Sequence, residues 1–359
     1  MHRSELDILT FCDMKNISRV FSLFYSFTQT LISFLGRGTC FLFLISPAMF
    51  FGCNKKDTVN TTRVSEPISS QVIYSKTDHG YHIRTLDALI FEPTGRLECY
   101  QRINNPGNLS EIASESGEKY LLLIANSSRE RYNLAEIRSL KTASDINIDL
   151  ESENREYPVL TWLGNINAGE DITPHLQPVR CEIILRSLRC DFTGKPYASK
   201  TLTDVKAYLT YVNASCSIIL PEQVLPSRII NAGILDKGHL SSFIDETIVV
   251  QEIGADFGKN AVPVNKSLLC FANQPEEESI GSPFTRLVIE GKIDNDTYYY
   301  PIKINDGNGG LNKGSRYILD ITITRTGATH PDGSLEECDI QINTEVETWE
   351  EKKDITIGF

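Results

Sequence analysis

The chain has 359 residues, of which 41% are hydrophobic, 23% charged and 9% aromatic; that is a globular composition, unlike that of a disordered, collagen-like or multi-span membrane chain. Its 35 Lys and Arg stand against 47 Asp and Glu, a net charge of -12, which argues against nucleic acid or anionic lipid as a partner, because both are held by basic side chains that neutralise phosphate. The length corresponds to about two domains.

Residues 1–52 read as an export signal. Arg37 is the only charge between Arg19 and Lys55, and Cys40 to Phe51 is an apolar run of 12 residues, the length of a signal-peptide core and too short to cross a bilayer. Residues 20–35 make a poorer membrane span, since their 16 residues include Ser, Thr and Gln and fall short of the ~20 needed. Met14-Lys15-Asn16 would serve as a second, basic start, and the choice between Met1 and Met14 stays open. Gly52-Cys53 resembles a bacterial lipobox, which implies lipidation of Cys53 and anchorage in the outer membrane; at least two acyl chains are needed for stable attachment. Residues 53–69 are polar and poor in aliphatic side chains, as expected of a tether.

From residue 70 onward the pattern is β. Short apolar alternations bounded by Gly, Pro, Asn and Asp predict strands at 85–91, 119–125, 181–190, 205–212, 285–293, 297–304, 316–324 and 340–348. Asn133-Leu134-Ala135-Glu136 has capping-box spacing, and Leu134, Ile137 and Leu140 recur at helical intervals, predicting one helix of about two turns. Many short strands and one short helix predict an all-β chain of two tandem β-sandwich domains. The polar, Pro-containing stretch from Gly169 to Pro178 marks the boundary, giving domains at 70–175 and 176–359.

Six cysteines follow Cys53: Cys99, Cys181, Cys190, Cys216, Cys270 and Cys338. An even number in an exported chain permits disulfides. None has CxxC spacing and most sit in apolar stretches, so buried free thiols are the favoured reading.

No nucleophile elbow, zinc-protease helix, Walker loop or dinucleotide fingerprint is present, and neither catalysis, cofactor nor metal is expected. His79 and His82 read as solvent-exposed. Asp294-Asn295-Asp296 and the loop from Asn305 to Gly310 lack the spacing of a calcium loop and read as hairpin turns. Glu276 to Glu278 read as a solvated loop. In the run Tyr298 to Tyr300, alternation sets Tyr299 opposite to its neighbours; core packing is the favoured use and a sugar platform the other.

Three stretches together resemble the fimbrillins, type V pilins exported as lipoproteins by Gram-negative anaerobes. The first runs from Tyr120 to Asn126 and continues at Leu134 to Leu140. The second is Leu176 to Ile183. The third comprises Phe284 to Gly291, Tyr299 to Ile304, Tyr317 to Gly327, Pro331-Asp332 and Trp349. The resemblance implies Greek-key, transthyretin-like sandwiches and a structural role in a surface fimbria that supports adhesion. Other pilin subunits are then the partners, with a surface ligand on a host or bacterial cell as a further one.

It also implies assembly by strand exchange: an arginine-specific protease removes an amino-terminal strand, and a carboxy-terminal strand of another subunit fills the groove. The removable strand is expected within residues 70–76, with Arg84 or Arg63 as the cut site. Donor candidates are Ile340, Ile342 and Val346, which share one strand face, and Ile355, Ile357 and Phe359, which alternate up to the terminus. The competing reading is a surface glycan-binding lipoprotein that uses exposed Tyr and Trp side chains.

Overall fold

The computed structural model describes residues 81–347, except 105, 107–109, 115–116, 168–171, 173, 220–223, 280, 306–308 and 335–339, together with the backbone of Glu66–Ser70. All of these belong to one compact unit spanning residues 62–359. In chain order the strands are β1 (Glu66–Ser70), β2 (Thr85–Phe91), β3 (Leu97–Asn104), β4 (Ser110–Ser114), β5 (Glu118–Ala125), β6 (Asn147–Asp149), β7 (Leu160–Asn167) and β8 (Gln177–Pro178). They continue with β9 (Arg180–Cys190), β10 (Thr203–Thr210), β11 (Val212–Asn213), β12 (Ser215–Ser217), β13 (Ile229–Ile230), β14 (Val250–Glu252), β15 (Val262–Phe271), β16 (Arg286–Ile293), β17 (Asp296–Lys303), β18 (Arg316–Ile323) and β19 (Ile340–Glu347). The chain is all-β, with helical turns confined to connections.

A five-stranded antiparallel sheet, ordered β3-β2-β5-β7-β8, forms the amino-terminal half. Its central strands β2 and β5 are buried on both faces, which is why they read as nearly continuous apolar runs. Leu89, Phe91, Leu122 and Ile124 face one core cluster, while Leu86, Ile90, Leu121 and Leu123 face another. The carboxy-terminal half contains two four-stranded sheets, β15-β9-β18-β19 and β14-β10-β16-β17. Their inner faces, including Ile183, Leu185, Leu319 and Ile321 on one sheet and Val205, Ala207, Leu287 and Ile289 on the other, belong to a single core cluster. That is the packing of a sandwich.

The larger cluster continues from the carboxy-terminal sandwich to Leu89 and Leu122 of the first sheet. The two halves also share backbone pairing, because β12 lies antiparallel to β6. β8, which lies beyond residue 175, pairs with β7 and completes the first sheet.

The expected helix is absent in its predicted form. Asn133 adopts φ 48° and makes no side-chain cap, Leu134–Glu136 is a single 3-10 turn, and Ile137 returns to extended backbone. Buried Leu134 and Ile137 still provide the apolar contacts. The actual capping pair lies downstream, where Ser139 and Thr142 close a capping box on the short helix α1 (Leu140–Ser144). Several strand pairs carry register shifts, among them those between Thr203 and Lys206 in β10 and between Pro263 and Lys266 in β15. Asp204 and Asn265 take left-handed backbone there, with φ 50° at each.

Candidate functional site

Among the described residues β19 is the edge strand of its sheet and pairs antiparallel with β18 alone. Directly opposite residues on antiparallel strands share a face, so Ile340, Ile342, Thr344 and Val346 lie on the same side as their partners Ile323, Ile321, Leu319 and Tyr317. Those partners are at most 1% exposed, yet Ile342 is 42% and Val346 44% exposed. The core-facing side of the edge strand is therefore left uncovered. Ile340, at the start of the strand, still packs partly against the core.

The opposite face of β19 is held by charge. Arg186 donates to Glu345 at 2.9 Å and to Asp320 at 2.6 Å, while Ser187 donates to the other Asp320 oxygen at 2.5 Å. Arg316 pairs with Glu347 at 3.0 Å and with Glu182 at 2.9 Å. The hydrogen bond from Arg186 keeps the Asp320 carboxyl below its ordinary range, with Ser187 adding to it. These clamps tie β19 across β18 to β9 on the polar side only. Of the predicted donor residues, Ile340, Ile342 and Val346 are thus brought together on one exposed apolar face, while Ile355, Ile357 and Phe359 lie outside the described residues.

At the other end of the chain, β1 pairs antiparallel with β4, from Glu66 opposite Ser114 to Ser70 opposite Ser110. Its residues 66–69 lie in the stretch read as tether, and Ser70 begins the stretch 70–76 where the removable strand was expected; residues 71–76 are outside the described residues, as are Cys53 and Arg63. Arg84 is exposed and precedes β2 directly. Its guanidinium carbon sits 3.3 Å from the centroid of the Tyr157 ring, and its backbone N–H donates to Asn126 Oδ1 at 2.8 Å. Asn126 in turn donates to the carbonyls of His82, at 2.9 Å, and Pro158, at 3.0 Å. The segment before β2 is therefore pinned at both backbone and side chain.

Tyr300 is fully buried and Tyr298 packs against the same core. Tyr299 alone faces outward, half-buried and bridged through its backbone to Ala328. Of the run Tyr298 to Tyr300, one ring is thus left for a sugar platform. Asp294, at φ 57°, and Asn295 form the two-residue turn between β16 and β17, as a hairpin requires. His82 is exposed, and Glu278 is engaged by Arg286 at 2.6 Å and Lys303 at 2.5 Å. Cys181, Cys190, Cys216 and Cys270 are buried free thiols; Cys99 is partly exposed, and Cys338 lies outside the described residues.

The sequence reading missed Arg186 and Arg316, which fix the polar face of β19. Their signal is a cation at matched positions of β9 and β18 opposite carboxylates of β19, visible only once the register is known.

No family model matches the chain, and no curated protein is similar to it in sequence. Solved structures do resemble it. A "putative cell adhesion protein" from Bacteroides eggerthii aligns over 79% of this chain and 92% of its own, with TM-score 0.60 and 15% identity. A fimbrilin (FimA) from Porphyromonas gingivalis aligns over 79% and 97%, with TM-score 0.56 and 15% identity. The tip fimbrial protein Mfa3 of the same organism, truncated at its carboxy terminus, aligns over 79% and 100%, with TM-score 0.50 and 11% identity. The all-β fold of this chain is the fold of the fimbrilins.

Proposed function

We infer that the chain is a structural subunit of a surface fimbria that supports adhesion. It is exported as a lipoprotein acylated at Cys53, carried to the outer membrane, and joined to other pilin subunits by β-strand addition. Residues 70–175 and 176–359 are its two sandwich domains in this reading, with β8 crossing that boundary to complete the first sheet. The fold shared with fimbrilins supports it, and the observation that carries it is the uncovered core side of β19. Ile342 and Val346 point where a sandwich interior belongs, next to an open strand edge. Pairing of β19 along a sheet edge of another subunit would satisfy the unpaired backbone and cover the apolar side chains together. Covering the exposed parts of Ile342 and Val346 contributes about 1 kcal/mol each, with full burial worth ~1.5–3.

A cut after Arg84 separates β1 from β2 and leaves β4 without the strand that pairs it. Arg63 is the alternative position. Stacking on Tyr157 withholds the Arg84 side chain from a protease pocket, so Tyr157→Ala is expected to raise the rate of cleavage after Arg84 several-fold, read by amino-terminal sequencing of timed digests. An unchanged rate would remove Tyr157 from the account.

The reading is tested by the double substitution Ile342→Asp with Val346→Asp in the full chain. Both side chains are more than 40% exposed, so the monomer should melt within a few degrees of the parent. Polymer formation after treatment with an arginine-specific protease should be lost. Polymer yield equal to that of the parent would place assembly elsewhere. Glycan binding at the outward-facing Tyr299 is the second reading, and it predicts glycan-array binding that Tyr299→Ala abolishes without unfolding.

A further inference from the structure

Two of the buried thiols stand in a relation that the pilin reading does not use. Cys181 of β9 and Cys270 of β15 are direct cross-strand partners in an antiparallel pair. Both are 0% exposed and both belong to the larger core cluster. Directly opposite residues in such a pair have Cα atoms ~4.5–5.5 Å apart, inside the ~4.4–6.8 Å that a disulfide spans. The other described cysteines lack such a partner: Cys99 lies opposite Ile90, Cys190 opposite Ile323 and Cys216 opposite Ile148.

We propose that Cys181 and Cys270 are a disulfide site, closed when the chain folds in an oxidising compartment. In the thiol form shown here, Cys181 Sγ donates to the Asn312 carbonyl at 2.9 Å. Burial pushes the Cys181 thiol well up, and its neighbour Cys270 adds to the effect, so the folded pair is a poor nucleophile and resists reagents in solution. Closure therefore belongs to the folding phase, when β9 and β15 meet before water is excluded. The oxidant is a disulfide, protein-borne or of low molecular mass. One cysteine thiolate attacks a sulfur of that disulfide and expels a thiolate, forming a mixed disulfide; the second cysteine thiolate attacks the cysteine sulfur and expels the other thiolate. The two protons lost by the cysteines are taken up, through solvent, by the two expelled thiolates; two electrons pass to the oxidant, which leaves as two thiols.

The bond would join the strand that opens the carboxy-terminal half to a neighbour six strands later in sequence, enclosing β10 to β14 in one covalent loop. Tension on the chain ends would then bypass that loop, which is the consequence for a subunit under load.

The test uses the full chain, unfolded and reduced, then refolded in a mixture of oxidised and reduced glutathione. Free thiols are trapped with N-ethylmaleimide under denaturing conditions, and the unreduced digest is analysed by mass spectrometry. The expected result is one linked peptide pair containing Cys181 and Cys270, converted to its two component peptides by reduction, with loss of the maleimide adduct from both residues. Cys270→Ala, checked for folding by circular dichroism, should restore the adduct at Cys181. Recovery of both residues as maleimide adducts in refolded wild-type protein would overturn the proposal, whatever the variant does. So would linkage of Cys181 to Cys216 or to any other cysteine.

Discussion

Replacing Arg180 by Met is expected to lower folding stability by about 3–5 kcal/mol at pH 8 and by clearly less at pH 5. Arg180 is 4% and Glu153 3% exposed, and their side chains meet at 3.3 Å. The guanidinium also donates to the carbonyls of Asn154 at 2.7 Å and Arg155 at 2.9 Å. It thereby joins the start of β9 to the turn that precedes β7. Without it, a fully buried carboxylate loses its counter-charge, and at pH 8 the variant must either hold that charge or take up a proton. Burial already raises the Glu153 carboxyl from 4.5 to about 7, with Arg180 opposing the shift.

The sign of the pH dependence follows. A carboxyl whose folded pKa is raised contributes most below its unfolded value of 4.5 and loses that contribution as pH climbs through about 7. For wild-type protein this costs about 3 kcal/mol between pH 4.5 and pH 8, at ~1.4 kcal/mol per pKa unit. At pH 5 Glu153 is neutral in both proteins, so the variant loses the hydrogen bonds of Arg180 and its contact with the Tyr81 ring but leaves no uncompensated charge. Urea unfolding at the two pH values measures both quantities, and equal losses at pH 5 and pH 8 would show that Glu153 charge is not what Arg180 compensates.

The second large effect is expected at Asp87, which lies in the otherwise apolar strand β2 and is 0% exposed. Its carboxylate accepts from Tyr100 Oη at 2.8 Å, from Arg102 Nη1 at 3.1 Å and from Ser127 Oγ at 2.6 Å. Arg102 Nη2 also donates to the Ser127 carbonyl at 3.1 Å. The group thus fastens β2 to β3 and to the turn after β5. Asp87→Ala leaves a guanidinium, a phenol and a hydroxyl without their acceptor and is expected to cost about 3–5 kcal/mol. Asp87→Asn retains the shape and one acceptor oxygen and should cost less. Thermal unfolding of the two variants checks the order; an Ala variant as stable as the parent would contradict it.

Much of the fold is legible in the sequence because the strands of a sandwich carry their burial pattern locally. The runs at β2, β5, β9, β16, β18 and β19 alternate or stay apolar over their whole length, and their predicted bounds lie within a residue of those observed. β3 escapes because its sequence, LECYQRIN, is only partly buried along its length. β15 escapes because Pro263 and the bulge at Asn265 interrupt its alternation. The helix at Leu134 was misplaced because i, i+3 spacing also serves a 3-10 turn followed by extended chain.

The candidate site divides in the same way. That Ile340, Ile342 and Val346 share a face is written in the alternation of β19. That this face is uncovered is a matter of tertiary packing, which no local pattern carries. Cys181 with Cys270, and Glu153 with Arg180, are pairs made by topology and become visible only with the strand register.

The most direct test is made on cells that express the full chain and, in parallel, a chain ending at Glu347. Immunogold electron microscopy with an antibody against residues 81–347 reads the outcome. The account predicts labelled filaments on cells with the full chain. Cells with the shortened chain should carry label on the outer membrane without filaments, since the terminal donor candidates are gone. Absence of labelled filaments from cells with the full chain, or equal filaments from both, would contradict it.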